Sequence, residues 1–389
     1  MYSTIVVEIV MAIGRFFMNP LLYIALMVAL FIGYRRVKRE RKYFNTRILS
    51  GWSEFKGLFQ VGILLPLVIS FISIAVGLTV SVEFLLLVSM LSIIALMLYV
   101  FHLLSPIIIF TIAFGVLVVM DMQNWTVSYF GFDFAGVSYT SGLAVTIPLL
   151  AGMVLIAEGI FIRKDGSKYA TPIMEKTKRG LNAVAYFSKK IWVLPVVFIV
   201  PGSAIDAYFP WWPHFSLGAE QFTLVLFPVV IGFQQLTRRT MPLYVYPKLG
   251  RSVIILGQLV LLGGLGAYFE PLIGVGVLLL GLVARLGISI SYKRSERNDS
   301  YAVIRSSRGA MIAAVLPDSP AEKMGLIAGE VIKKVNGLEV HTEDELYEAL
   351  QINAAHCRLE VLDHRNEIRL TQHVVHSDDH HRIGLLLVH

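Results

Sequence analysis

The spacing of apolar and polar residues divides the chain near residue 290. Before that point, apolar runs recur at 19–34, 57–80, 84–104, 106–120, 143–162, 191–209, 219–236, 252–269 and 271–289. A bilayer core needs about 20 apolar residues per helix, so these runs predict eight or nine membrane segments within residues 19–290. The run at 106–120 opens on Ser105-Pro106 and fits one half of a kinked or re-entrant pair. Residues 1–18 predict an amphipathic lead-in at the interface; they contain Glu8 and Arg15 and lack the basic start and cleavage site of a secretory signal.

After 290 the texture changes. Residues 291–300, SYKRSERNDS, predict a polar juxtamembrane linker, and 301–389 alternate short strands with two helices. GAMIAAV (309–315) reads as a buried strand. Ser319 is placed to cap a short helix with Pro320 at its first position, and Gly325 to end it. EVIKKVNG (330–337) is a strand closed by an Asn336-Gly337 turn. Thr342 and Glu345 form a capping box for a helix carrying Leu346, Ala349 and Leu350 on one face. CRLEVL (357–362) and EIRLTQHVV (367–375) form a hairpin, and RIGLLLV (382–388) is a last strand. The fold class expected is a polytopic α-helical membrane domain followed by a small α+β domain.

Composition agrees: of 389 residues, 56% are hydrophobic and only 16% charged, with a mean hydropathy of +0.68. The net charge of +7 sits in loops between apolar runs, which points to lipid and away from nucleic acid. The segments 35–56 and 163–190 carry eight Lys and Arg each and 237–251 carries four, whereas 121–142 and 210–216 carry none. Positive loops stay inside, and counting runs between them puts the C-terminal domain in the cytoplasm. Trp125, Tyr129, Phe130, Phe132, Phe134, Trp211 and Trp212 then form an outer aromatic belt. The lone cysteine, Cys357, excludes an internal disulfide.

Candidate chemistry is sparse. His102, Glu158, Asp206 and Glu270 are ionisable groups at apolar runs, each near a run end and able to reach the interface. The chain contains no H-E-x-x-H, no G-x-S-x-G and no phosphate-binding glycine loop. Nothing predicts a cofactor or a designed metal site; the histidines of 373–381 read as an exposed loop. The basic run Arg35, Arg36, Lys38, Arg39, Arg41 and Lys42 is a topology signal that can also attract anionic membrane lipids or an acidic partner.

Gly309, Ser319-Pro320-Ala321, Gly325-Leu326, Gly329-Glu330, Ile332 and Asn336-Gly337 at these spacings resemble a bacterial PDZ domain, with Glu330 where aspartate is usual. PDZ domains add an extended peptide to a sheet edge beside a helix. The resemblance implies a groove made by Arg382, Ile383, Gly384, Leu385 and Leu386 with the helix residues Leu346 and Leu350.

The whole architecture, a polytopic region with a basic first loop and one C-terminal PDZ domain, resembles the MinJ family of cell-division topological determinants. That resemblance implies a non-enzymatic scaffold at the septum and poles, bridging a DivIVA-like scaffold to a MinD-like ATPase of the Min inhibitor system. The competing expectation is a PDZ-regulated intramembrane protease or transporter.

Overall fold

A computed structural model describes residues 2–388 except 60–61, 130–131, 207–220, 298–299, 353–355 and 375–382. The N-terminal region comprises α1 (Tyr2–Met18), α2 (Pro20–Phe44), α3 (Ser53–Gly57), α4 (Leu64–Val76), α5 (Val82–Met97) and α6 (Pro106–Met122). A small hairpin follows, β1 (Thr126–Tyr129) with β2 (Phe132–Ala135), and then α7 (Leu143–Asp165). Next come β3 (Thr171–Lys176), β4 (Asn182–Asp206) and β5 (Gln221–Thr237), and finally α8 (Pro242–Gly266) and α9 (Pro271–Ser295). Among the described residues, α2, α7, α8 and α9 are long and apolar enough to cross a membrane; α4, α5 and α6 are apolar but shorter. Leu259, Leu262, Leu279, Leu280 and Val283 lie exposed on α8 and α9, the outward apolar surface that lipid, not water, would solvate.

The described parts of the runs at 191–209 and 219–236 do not form helices. They lie in β4 and β5, a long antiparallel hairpin in the middle of the bundle. Hydropathy cannot separate a strand buried on both faces from a buried helix. Proline can, because it breaks a helix interior. Pro195 on β4 stands directly opposite Pro228 on β5, so two residues without an N–H share one position of the ladder. The hairpin's outer edges are also satisfied. Val193 N donates to Leu58 O (3.2 Å), Val80 N to Ile199 O (2.9 Å), Gly232 N to Leu104 O (3.1 Å), and Val197 N to Ser70 Oγ (2.9 Å). Edge strands are thus covered by loop and helix-end atoms, as an apolar surrounding demands.

The helices around the hairpin pack through small residues. Gly152 and Gly159 of α7 face Gly250, Gly257 and Gly264 of α8, all at seven-residue spacing. Within a lipid solvent such close approach supplies the packing that hydrophobic exclusion cannot.

The C-terminal region contains β6 (Val303–Ile304), β7 (Ala310–Val315), α10 (Pro320–Lys323), β8 (Val331–Val335), β9 (Leu338–Glu339), α11 (Glu343–Gln351), β10 (His356–Leu362), β11 (Ile368–Val374) and β12 (Leu385–Leu387). Five of these strands order β11-β10-β8-β7-β12, with β9 on β8. β6 is not part of that sheet: Val303 and Ile304 pair with Val184 and Ala183 of β4 and so extend the hairpin sheet of the N-terminal region. Residues 301–304 therefore tether the domain instead of beginning its fold.

Candidate functional site: the groove of the C-terminal domain

The framework residues do what their types require. Ser319 Oγ accepts from Glu322 N (3.3 Å), Pro320 occupies the first turn of α10, and Gly325 ends it at φ +70°. Asn336 and Gly337 both hold positive φ (51° and 91°), the turn that joins β8 to β9. Asn336 also reaches outward: its side-chain amide donates to Ala349 O (3.0 Å), and its Oδ1 accepts from Arg358 N (3.0 Å). One turn residue thereby ties α11 to the sheet. At Gly309 a Cβ would stand 2.3 Å from Ile332 O, so only glycine lets β7 approach β8 there. Ala321, Leu326 and Ile332 are buried in the domain core. The position after Gly329 (φ +91°) gains from glutamate's length. Buried Glu330 accepts from Ile327 N (3.0 Å) and from Arg369 of β11 (2.9 and 3.0 Å), and so clips the glycine turn to the hairpin.

The proposed groove residues divide between two faces. Ile383, Leu385 and Leu387 share a core with Leu346 and Ala349 of α11, and Leu350, half-buried, packs against it. Leu386 does not join them. Strand alternation turns it to the opposite face, where it packs with Val184, Tyr186 and Phe44 of the N-terminal region alongside Ala313 and Val388. Arg382 lies outside the described residues, as do Trp211, Trp212 and most of the histidine tail. Backbone carbonyls fix the strand's approach: Leu316 N donates to Gly384 O (2.8 Å) and Ala321 N to Ile383 O (3.0 Å). β12 pairs with β7 along one edge, and no described strand pairs with the other. A sheet edge left open beside an apolar helix face is the geometry that accepts an added strand.

The domain is held against the bundle. Tyr186 of β4 donates its hydroxyl to Ala313 O (2.8 Å). A second tie joins Arg238, Glu175 and Tyr301. Arg238 donates to both oxygens of Glu175 (2.7 and 2.9 Å), and the Tyr301 hydroxyl donates to Glu175 Oε2 (2.8 Å). Glu296 Oε2 meanwhile accepts from the backbone N–H groups of Arg238, Arg239 and Thr240. Hydrogen bonding from Arg238 first, and from Tyr301, holds the Glu175 carboxyl below the usual carboxylate range despite partial burial. A depressed carboxylate adds stability above its unfolded pKa of about 4.3, and that stability is lost as pH falls through the lower native value. Acidification below about pH 4 is therefore expected to loosen this tie. Since α9 runs on to Ser295, the expected linker 291–300 is helical over its first half; faster protease cleavage between α9 and β6 would report the loosening, and an unchanged rate would place the tie's strength elsewhere.

The remaining sequence candidates fall into place. His102 and Glu270 are exposed near helix ends, and Asp206 ends the strand β4 opposite Gln221 and not a helix, while Glu158 is fully buried on α7. It takes Arg285 Nη2 at 2.5 Å and Nε at 3.1 Å on one oxygen, and the Ser105 hydroxyl at 2.5 Å on the other. Sequence spacing could not reveal this, since the partners lie 53 and 127 residues away. In the basic run, Arg35, Lys38, Arg41 and Lys42 are exposed and Arg39 is half-buried. Arg36 belongs to no exposed patch. It is buried between Glu40 (2.7 Å) and Glu54 (2.5 Å) and donates to Ser50 O (2.6 Å). No group of three or more His, Cys, Asp or Glu side chains able to hold a metal occurs among the described residues. Cys357 is buried, and burial pushes its thiol up to about 11, far from a reactive thiolate.

These features define a helical region with several long apolar helices that carries a PDZ domain at its C-terminal end; residues 311–362 match the PDZ domain family. Over almost its entire length the chain is similar to the cell division topological determinant MinJ of Bacillus subtilis (strain 168), with 28% identity over 386 residues, 98% of this chain and 95% of that protein. A Lacticaseibacillus paracasei protein named "Probable cell division topological determinant MinJ" is 20% identical over 373 residues, 94% of each chain. A "Probable periplasmic serine endoprotease DegP-like" of Marinomonas sp. (strain MWYL1) is 44% identical over 68 residues, covering 17% of this chain and 14% of that one. The relatives that match along the whole chain are named as division determinants and not as enzymes; the protease matches only a short part.

Proposed function

We propose that this chain is a membrane-anchored adaptor in division-site selection, without a catalytic step. Its PDZ groove takes an extended segment of a cytosolic division protein, and the basic loops complete the docking surface. The observation that carries the reading is the open edge of β12 beside Leu346 and Leu350, on a chain similar end to end to the MinJ determinants. By the same relationship, the bridge runs from a DivIVA-like polar scaffold to a MinD-like ATPase.

The orientation proposed is a cytoplasmic PDZ domain, with enrichment at septum and poles. Three basic segments gather at one end of the bundle: Arg39 of the first stacks over Phe187 of the second, and Arg238 of the third pairs with Glu175 of the second. The PDZ domain docks at that same end through Tyr186 and β6. Reading 191–209 and 219–236 as strands leaves this orientation intact, because a hairpin returns the chain to the side it left.

Leu350→Arg places a charge at the mouth of the groove from a half-buried position. Capture of the DivIVA-like and MinD-like proteins by the full chain in membranes is expected to fall at least about tenfold, the equivalent of 1.4 kcal/mol. Septal enrichment of a fluorescent fusion should fall with it, at unchanged protein level. Alanine at exposed His102 and Glu270 should leave both readouts as they were. Full capture by Leu350→Arg, or loss of function on the two alanine substitutions, would reject the adaptor reading.

A further inference from the structure

Three cations from two distant parts of the chain, α2 and β4, converge on neighbouring aromatic rings at the basic end of the bundle. Arg35 of α2 lies over the rings of Phe31 and Tyr99, at 5.3 Å from each centroid. Lys189 of β4 sits 3.1 Å from the Tyr99 centroid and 4.4 Å from that of Phe101, and donates to Tyr99 O at 3.3 Å. Arg39 stacks over Phe187, two residues before Lys189, at 4.9 Å. None of the three forms a salt bridge with a described carboxylate, although Arg36 on the same helix has two. Burial, followed by the nearby charges of Arg39 and Arg35, pushes the Lys189 ammonium down to about 7. Of the carboxylates nearby, Glu40 and Glu54 are both paired to Arg36, and neither forms a salt bridge with these three cations.

Two more observations point to a ligand. Tyr99 holds φ of +61°, a left-handed conformation that an aromatic residue adopts at a cost and that glycine ordinarily fills after a helix. Strain of this kind persists where a side chain has a task, and here it delivers the ring on which Arg35 and Lys189 both rest. Beside the cations, Phe31, Tyr34, Met97 and Leu98 are exposed apolar side chains. A cluster of cations bordered by exposed apolar surface matches a molecule with an anionic head and an acyl tail, and basic clusters between membrane segments hold such headgroups.

We infer that Arg35, Arg39 and Lys189, arranged around Tyr99, form a specific site for the phosphate headgroup of an anionic phospholipid. The inference is independent of what the PDZ groove takes. It differs from a diffuse attraction of the basic run, since it excludes Arg36 and requires Lys189 from β4.

The test is native mass spectrometry of the full chain purified in detergent, with phosphatidylglycerol or phosphatidylcholine added. Wild type is expected to retain anionic lipid in preference to the zwitterionic one. Each cation is worth about fivefold in affinity. Lys189→Gln should therefore weaken retention about fivefold, and Arg35→Gln/Arg39→Gln/Lys189→Gln about a hundredfold. Lys38→Gln/Arg41→Gln/Lys42→Gln, which removes the same charge from exposed positions, should retain lipid as wild type does. Tyr99→Gly relieves the backbone while removing the platform, so it should stay folded and still lose the lipid. Equal retention of the two lipids by wild type would overturn the site whatever the variants do. Equal loss in both triple variants would reduce it to a general field. Complete displacement by excess inorganic phosphate would make it a site for a soluble anion and overturn the lipid assignment.

Discussion

Arg285→Met is expected to destabilise the helical region by about 3–5 kcal/mol, the cost of leaving a buried charge without its partner. Glu158 is fully buried, and among the described residues its side-chain hydrogen bonds come from Arg285 and Ser105. With Arg285 gone, one hydroxyl would face a carboxylate in an apolar interior. Arg285 also donates to Ser289 on its own helix, so the guanidinium is held from both sides. Glu158→Gln should cost less than Arg285→Met, because the neutral amide can keep the Ser105 contact and its oxygen can still accept from Arg285. The double variant Glu158→Gln/Arg285→Met removes both charges and should recover a large part of the loss. Thermal unfolding in detergent of the four proteins closes the cycle, with a coupling energy on the order of 1–3 kcal/mol. Single-variant costs below about 1 kcal/mol would mean that water reaches the pair and that it behaves like a surface bridge.

That pair also marks where the sequence stops being legible. Glu158 stands out as an acidic residue in an apolar run, and position alone makes a helix-end residue reaching the interface the natural reading. Its burial depends on α6, α7 and α9 meeting, which no local pattern encodes. The same holds for Arg36, which turns inward to Glu40 and Glu54 while Arg35, Lys38, Arg41 and Lys42 of the same run are exposed. The hairpin β4–β5 escaped a hydropathy reading because both its faces are buried, although Pro195 and Pro228 carried a signal against helix. The PDZ framework was legible almost residue by residue, since caps and left-handed turns at Ser319, Gly325, Asn336 and Gly337 are set by local chemistry. The groove was legible in composition but not in facing. Leu385 and Leu386 look equivalent until strand pairing with β7 fixes which of them turns toward α11.

Gly159→Leu should be still more damaging than the loss of Arg285. An added Cβ at Gly159 would lie 2.7 Å from Gly250 O and 2.8 Å from Ile254 N, both backbone atoms of α8. At Gly250 the reciprocal contact is 2.6 Å from Gly159 O, and at Gly257 a Cβ would meet Ile156 N at 2.8 Å. Backbone cannot rotate aside as a side chain does, so α7 and α8 must separate along their length. Overpacking a well-fitted core ordinarily costs about 1–3 kcal/mol. Here α7 is the most enclosed long helix of the bundle, and parting it from α8 also disturbs the seat of Glu158, one residue before Gly159. Loss of the folded, detergent-extractable protein is therefore expected for Gly159→Leu, and a lowered melting temperature for Gly257→Ala. Gly276 and Gly287 on α9 are the internal control, because a Cβ at either would meet nothing within 4 Å. Alanine there should be neutral or stabilising by up to about 1 kcal/mol through helix propensity alone. A Gly159→Leu protein as stable as Gly276→Ala would mean that the seven-residue glycine seam does not hold the two helices together.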